Sequence, residues 1–254
     1  MIHLVTLSGN SERFIQKGMD HKALCLINET PAIKHFIDLF TDFEEFETIF
    51  LCRDEDLETT KLKETISVYA SHAKVFGIKK NSLGPVYSIS KIFDKIPDDT
   101  PILITYVDAL QKASLKDIYF NFKDYEGGLT VHDFKNPHWR NNKNYCLVKH
   151  DDELNTESIL EKFDFSYFDF SQTNCAGSTG SYYFSSGLLM KKYFNKLIDD
   201  RIFVNGEHYV TQALDEMIKD NITVKSAYYP YVSLGVPEDL SDYEFWVKWF
   251  KKNQ

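Results

Sequence analysis

The chain has 254 residues, 43% of them apolar and 15% aromatic with 20 Phe and 15 Tyr, which excludes a disordered or low-complexity protein and suits one large domain. Its 38 Asp and Glu against 29 Lys and Arg give a net charge of −9 with no basic stripe, which argues against a nucleic-acid partner but leaves anionic small molecules open, because a few fixed cations act locally. Cys25, Cys52, Cys146 and Cys175 are scattered without a Cys-x-x-Cys pair, so they read as reduced thiols of a cytoplasmic protein and not as a disulfide or zinc framework.

In chain order, the apolar run 2–7 reads as a first strand; it has no basic leader and so no secretory signal. A helix is predicted at 32–40, where Ile33, Phe36, Ile37 and Phe40 recur at helical spacing behind Pro31. Strands follow at 47–52 and 73–77, then a Gly84-Pro85 turn opens a helix at 86–93, and a strand at 101–107 ends on Asp108. Beyond it lie predicted strands at 128–132, 145–149 and 180–185, where the sheet is expected to become mixed and close one side of a pocket. The uncharged run 170–190 could span a bilayer by length, but its Ser, Asn, Gln and Gly residues argue against a membrane partner. Helices are predicted at 188–198, 207–219 and 239–251, the last carrying Tyr243, Trp246, Trp249 and Phe250 as a stripe assigned to packing, with a subunit interface as the alternative. The alternation of strands and helices predicts an α/β fold with a central mixed, mostly parallel sheet flanked by helices, and no linker divides 1–254.

Three segments carry chemistry. Leu7, Ser8, Gly9, Asn10, Ser11, Glu12 and Arg13 form a strand followed by a small-residue loop and an arginine, able to bring backbone N–H groups and a guanidinium to a triphosphate. Lys22, nine residues beyond Arg13, could bridge two phosphates, although a lone lysine is more often simply solvated. Asp108 stands at the carboxyl end of a central strand, where α/β sheets bind ligands; a carboxylate there could hold Mg²⁺ against phosphate oxygens or cap a helix.

The Ser-Gly-x-x-x-Arg-Phe loop from Ser8 to Phe14, with Lys22-Ala23-Leu24 and Asn28-x-x-Pro31, resembles the N-terminus of the nucleotidyltransferases that activate sugar 1-phosphates or phosphocholine. Further fragments resemble that family in order: Gly84-Pro85-Val86, Tyr106-Val107-Asp108, Glu161-Lys162, Thr179-Gly180-x-Tyr182-x-Phe184, Asn205-Gly206-Glu207 and Gly235-Val236-Pro237-Glu238-Asp239-Leu240. The resemblance implies a Rossmann-like, GT-A-like domain whose nucleotide-binding half is 1–125 and acceptor-binding half 126–254. It also implies catalytic roles for Arg13, Lys22 and Asp108, with Asp108 the Mg²⁺ ligand. Leu7, Ser8, Gly9, Asn10, Gly84 and Pro85 would bind the nucleotide, and Glu161, Lys162 and Gly180 the acceptor.

Two departures stand out: Ser8 and Ser11 replace expected glycines, and Ser233 falls where many members carry a second metal-binding aspartate, so that either Asp108 works with phosphates and water alone or Glu238 or Asp239 reaches in. The segment 132–145, with Pro137, His138, Trp139 and Arg140, is similar to a small capsule-biosynthesis subset of the family. That likeness implies transfer of CMP from CTP to a phosphorylated small metabolite, foremost L-glutamine phosphate, giving CDP-L-glutamine and pyrophosphate. Arg140 would then meet the acceptor's carboxylate. Sugar 1-phosphates and phosphocholine stay open as acceptors, as does a homo-oligomer. A glycosyltransferase would usually show an Asp-x-Asp pair, which Asp108-Ala109-Leu110 does not supply; a non-catalytic nucleotide-binding protein is the third reading.

Overall fold

A computed structural model describes residues 1–9, 11–133, 145–169 and 171–252. The first half runs β1 (Ile2–Thr6), α1 (Glu12–Gln16), β2 (Leu26–Ile27), β3 (Thr30–Pro31), α2 (Ala32–Leu39), β4 (Glu47–Arg53), α3 (Asp54–Thr59), α4 (Leu62–Tyr69), β5 (Lys74–Ile78), α5 (Gly84–Ser90), β6 (Ile102–Tyr106), β7 (Ala109–Gln111) and α6 (Leu115–Phe122). The second half runs β8 (Gly127–His132), β9 (Leu147–His150), β10 (Thr156–Leu160), β11 (Cys175–Phe184), α7 (Gly187–Asp199), α8 (Val210–Lys219), β12 (Val224–Tyr228), β13 (Tyr231–Ser233) and α9 (Pro237–Lys252).

The predicted mixed sheet is present. Nine of these strands join along β10-β9-β11-β6-β1-β4-β5, with β8 paired to β11 and β12. The strands β1, β4, β5 and β6 run parallel, and every residue of β1 is buried, as expected of a strand covered on both faces. Leu4 packs into one apolar layer and Val5 into the other, so alternate side chains of β1 serve helices on opposite sides. All four cysteines are free and buried, and among the described residues no helix is long and apolar enough to cross a membrane.

The antiparallel strand β11 joins the halves. Its Ser181–Phe184 end pairs with β6, its Cys175–Gly177 end with β9, and β8 lies alongside as well. The sequence predicts this strand only at 180–185; the structure begins it at Cys175 and takes in Ser178 and Thr179, which, like Ser181, do not read as apolar. They are nevertheless buried: the Oε1 of fully buried Gln111 accepts hydrogen bonds from Thr130, Thr179 and Ser181 at 2.9, 2.9 and 3.2 Å. Internal hydrogen bonds thus make a polar strand compatible with a core position, which also explains the uncharged run 170–190.

The aromatic stripe of α9 does not fulfil its expected packing role. Tyr243 does rest against the core, but Trp246, Trp249 and Phe250 are 52%, 45% and 55% exposed. The helix is held by its first turns, through buried Pro237, Asp239 and Leu240.

Candidate active site

A cavity of about 870 Å³ opens at the carboxyl ends of β1 and β6, the position at which open α/β sheets bind ligands. The first loop forms one rim. Phe14, 2% exposed, anchors the single turn of α1, and Arg13 beside it stays exposed at the cavity. Beneath the loop, the Leu7 N–H donates to the Leu51 carbonyl at 2.8 Å and the Leu7 side chain is fully buried. Ser8 and Gly9 therefore line the cavity, while Leu7 supports them from the core.

Lys22 and Asp108 meet on the cavity wall. Lys22 Nζ lies 2.7 Å from Asp108 Oδ2, with the two side chains 13% and 23% exposed. Lys22 sits in a turn before β2, and Asp108 in the link between β6 and β7, so neither caps a helix. Burial alone would raise the Asp108 carboxyl, but the Lys22 ammonium and hydrogen bonds outweigh it and hold the group below the usual carboxylate range. Neighbouring His21 is kept neutral by burial and by the positive charges of Lys22 and Arg53, its pKa lowered to about 4.

The chain's closing segment completes this wall. In the pairing of β13 with β7, Ser233 stands opposite Ala109, next to Asp108, and the Leu234 N–H donates to the Asp108 carbonyl at 2.8 Å. Ser233 Oγ donates to Asp239 Oδ2 at 2.9 Å, and Asp239 lines the cavity. Glu238 instead faces outward in an ion pair with Lys17. A methyl group at Gly235 would come within 3.4 Å of Ser233 Oγ and 3.9 Å of Asp108 Oδ2, so the bare backbone there keeps a recess open between these oxygens.

The second wall is the first turn of α5. Gly84 adopts φ +89°, and a Cβ there would fall 2.7 Å from the His208 carbonyl oxygen. The reason is a backbone seam in which the His208 N–H donates to Leu83 O at 2.9 Å and the Val86 N–H to His208 O at 3.2 Å. The turn that carries Pro85 is thereby fastened to the segment leading into α8.

The far end is lined from the second half. Glu161 accepts from Thr211 at 2.5 Å, and burial raises its carboxyl although Lys162, 3.9 Å away, opposes the shift. Lys162 takes φ +55° and places its ammonium 5.0 Å from the centre of the Tyr209 ring. Gly180, at φ +88°, sits where the register of β11 slips, and a Cβ there would press to 3.2 Å from Ala109. Tyr106, packed edge-on to Tyr182 at 5.4 Å, has a buried hydroxyl with no hydrogen-bond partner among the described residues.

The cavity thus gathers Ser8, Gly9, Arg13, Lys22, Gly84, Pro85, Asp108, Glu161, Lys162 and Gly180 from positions far apart in the chain. Asn10 and Arg140 lie outside the described residues. Sequence reasoning missed Arg53 and Tyr106. Arg53 is 6% exposed, lines the cavity and donates from Nε to the Ser8 carbonyl at 2.9 Å, bracing the first loop. Its signal was available, since the apolar run of β4 ends on this arginine beside the end of β1. Tyr106 was read only as the strand residue before Asp108.

This mixed sheet, with a polar cavity at its strand ends bordered by the β7–β13 ribbon, has the fold of solved structures titled as pyrophosphorylases and nucleotidyl transferases. Among solved structures, the chain is similar to the nucleoside-diphosphate-sugar pyrophosphorylase of Vibrio cholerae, with a TM-score of 0.77 and 16% identity over 96% of this chain and 100% of that one. It is also similar to the inositol-1-phosphate CTP transferase of T. maritima, with a TM-score of 0.69, 16% identity and coverage of 96% and 93%. A UDP-glucose pyrophosphorylase complexed with UDP-glucose gives a TM-score of 0.72, 14% identity and coverage of 99% and 98%. No protein-family profile and no curated protein sequence matches the chain.

Proposed function

We propose that this protein is a nucleotidyltransferase that moves CMP from CTP onto a phosphorylated small metabolite, with release of pyrophosphate. The observation that carries the reading is the Lys22–Asp108 pair, 2.7 Å apart on the wall of a cavity that also holds Arg13, Arg53 and Lys162. With Lys80, five cationic side chains line this cavity beside five carboxylates, and cations fixed at the phosphates suit a reaction between two anions, in which mutual repulsion is a main obstacle. An oxygen of the acceptor phosphate attacks the α-phosphorus of CTP, a new P–O bond forms, and the bond to the β-phosphate breaks. Little proton transfer is needed, so positioning and charge neutralisation supply most of the acceleration.

Lys22 would hold the reacting phosphates and Arg13 the departing pyrophosphate, with backbone from Ser8 and Gly9 beneath them. The turn at Gly84 and Pro85 would meet the base, and Lys162 the acceptor phosphate, with Glu161 and Gly180 shaping the acceptor end. Asp108, the Ser233 hydroxyl and Asp239 face one recess that the Gly235 backbone keeps open, an all-oxygen donor set suited to Mg²⁺. No group of three or more His, Cys, Asp and Glu residues clusters among the described residues, so phosphate oxygens and water would complete the shell. When bound, Mg²⁺ supplies charge neutralisation of the phosphate oxygens.

For the acceptor, the likeness of the segment 132–145 to capsule-biosynthesis enzymes favours L-glutamine phosphate, giving CDP-L-glutamine. The similarity to an inositol-1-phosphate CTP transferase supports CTP as donor. The test is pyrophosphate release from CTP and Mg²⁺ with L-glutamine phosphate, glucose 1-phosphate or phosphocholine. Release with the first alone establishes the reading in full. Release with another acceptor corrects the substrate, and no release with any acceptor or nucleoside triphosphate removes the proposed activity.

A further inference from the structure

The start of α8 grips both members of the Glu161–Lys162 pair. Thr211, in its first turn, donates to Glu161 at 2.5 Å, and the Lys162 ammonium lies over the ring of Tyr209, just before the helix, 5.0 Å from its centre. Lys162 itself follows β10 in a left-handed conformation, φ +55°, that lysine adopts uncommonly. Both Lys162 and Tyr209 line the cavity. Glu161 Oε1 is 3.9 Å from the ammonium, beyond hydrogen-bond reach, so that carboxylate by itself gives the lysine no fixed direction.

Tyr209 is firmly placed. Its backbone N–H donates to Gln212 Oε1 at 2.8 Å, and its neighbour His208 is locked into the backbone seam with Leu83 and Val86. Its hydroxyl is bonded to the Glu207 carboxylate; burial, and then that bond, push the phenol's pKa well up, so the ring meets Lys162 as a neutral π face and not as a phenolate. We infer that Tyr209 is a positioning residue whose ring holds the Lys162 ammonium at the acceptor end before the acceptor arrives. A long, flexible side chain is then ordered in advance, and the cost of ordering it does not fall on binding. The inference rests on the proposed role of Lys162 at the acceptor phosphate. It assigns the effect to the ring and not to the hydroxyl, and to the acceptor and not to the nucleotide.

Initial-rate kinetics of pyrophosphate release and the lysine resonances of the full chain test this together. With whichever acceptor supports turnover, Tyr209→Leu should raise the acceptor KM roughly tenfold, the scale of one cation–π contact, and leave the nucleotide KM within about twofold. Tyr209→Phe keeps the ring and should restore the acceptor KM. In a Lys162→Met background, Tyr209→Leu should cost nothing further. Independently of turnover, isotope-labelled reductive dimethylation keeps the charge of each lysine and gives it a methyl signal. The Lys162 signal, identified by its absence from Lys162→Arg, should be shifted upfield by the ring in the wild type and in Tyr209→Phe but not in Tyr209→Leu. An unshifted wild-type signal overturns the inference. So does an unchanged acceptor KM in Tyr209→Leu, a defect in Tyr209→Phe equal to that in Tyr209→Leu, or a Tyr209→Leu effect that persists in Lys162→Met. A wild type inactive with every acceptor removes the proposed activity instead, and the Lys162 signal then decides the inference by itself.

Discussion

At the scale of single residues, the cavity works through charges that the fold holds ready. On the proposed mechanism Lys22→Ala removes an electrostatic partner of the reacting phosphates, and it leaves the recessed Asp108 carboxylate without the ammonium 2.7 Å away. Turnover is expected to fall roughly a hundredfold or more, read as kcat in a pyrophosphate-release assay. Arg53 acts differently, since its guanidinium braces the Ser8 carbonyl. Arg53→Ala should therefore loosen the first loop and raise KM for the nucleotide more than it lowers kcat, as initial-rate kinetics will show. Far from the cavity, His3 is fully buried against Phe36, Phe40 and Phe43, hydrogen-bonded to Thr105 at 2.8 Å, and burial lowers its pKa to about 3. Between that value and 6.5 the unfolded chain binds a proton that the folded chain refuses. Stability is therefore lost as pH falls below 6.5, by about 2 kcal/mol from this group at pH 5. Urea midpoints at pH 7 and pH 5 should converge in His3→Gln relative to the wild type.

At the scale of elements, the parallel strands were legible because β1, β4 and β6 are buried on both faces and so read as unbroken apolar runs. The loop after β1 and Asp108 after β6 were equally legible, since a ligand site at strand ends follows from the fold class itself. What escaped was set by partners distant in the chain. The N-terminal part of β11 is polar in sequence and buried only because Gln111 satisfies its hydroxyls, and the two short strands β7 and β13 exist only as each other's partners. The aromatic repeat of α9 has the spacing of a core-facing stripe, yet Phe245, Trp246 and Phe250 stay more than half exposed. Gly84 shows how tightly such long-range seams are drawn. Gly84→Ala would force a side chain into a left-handed turn and against the His208 backbone. An expected loss of about 1–3 kcal/mol in thermal unfolding should accompany weaker nucleotide binding by calorimetry.

At the scale of the whole molecule, the proposed nucleotide and acceptor halves share one sheet and are not two bodies. The second-half strand β11 pairs with β6 of the first half, and β13 with β7, so neither half keeps its edges covered alone. Thermal unfolding should accordingly be a single transition by both near- and far-ultraviolet circular dichroism, and CTP should move it upward as one unit. The Lys17–Glu238 ion pair adds a link between the halves, tying the segment just after α1 to the first turn of α9. The first loop and the aromatic helix α9 are thus mechanically adjacent. Whatever free energy passes between them is symmetric: a ligand of the cavity that steadies the helix by some factor is itself held more tightly, by that same factor, when the helix is steadied from outside.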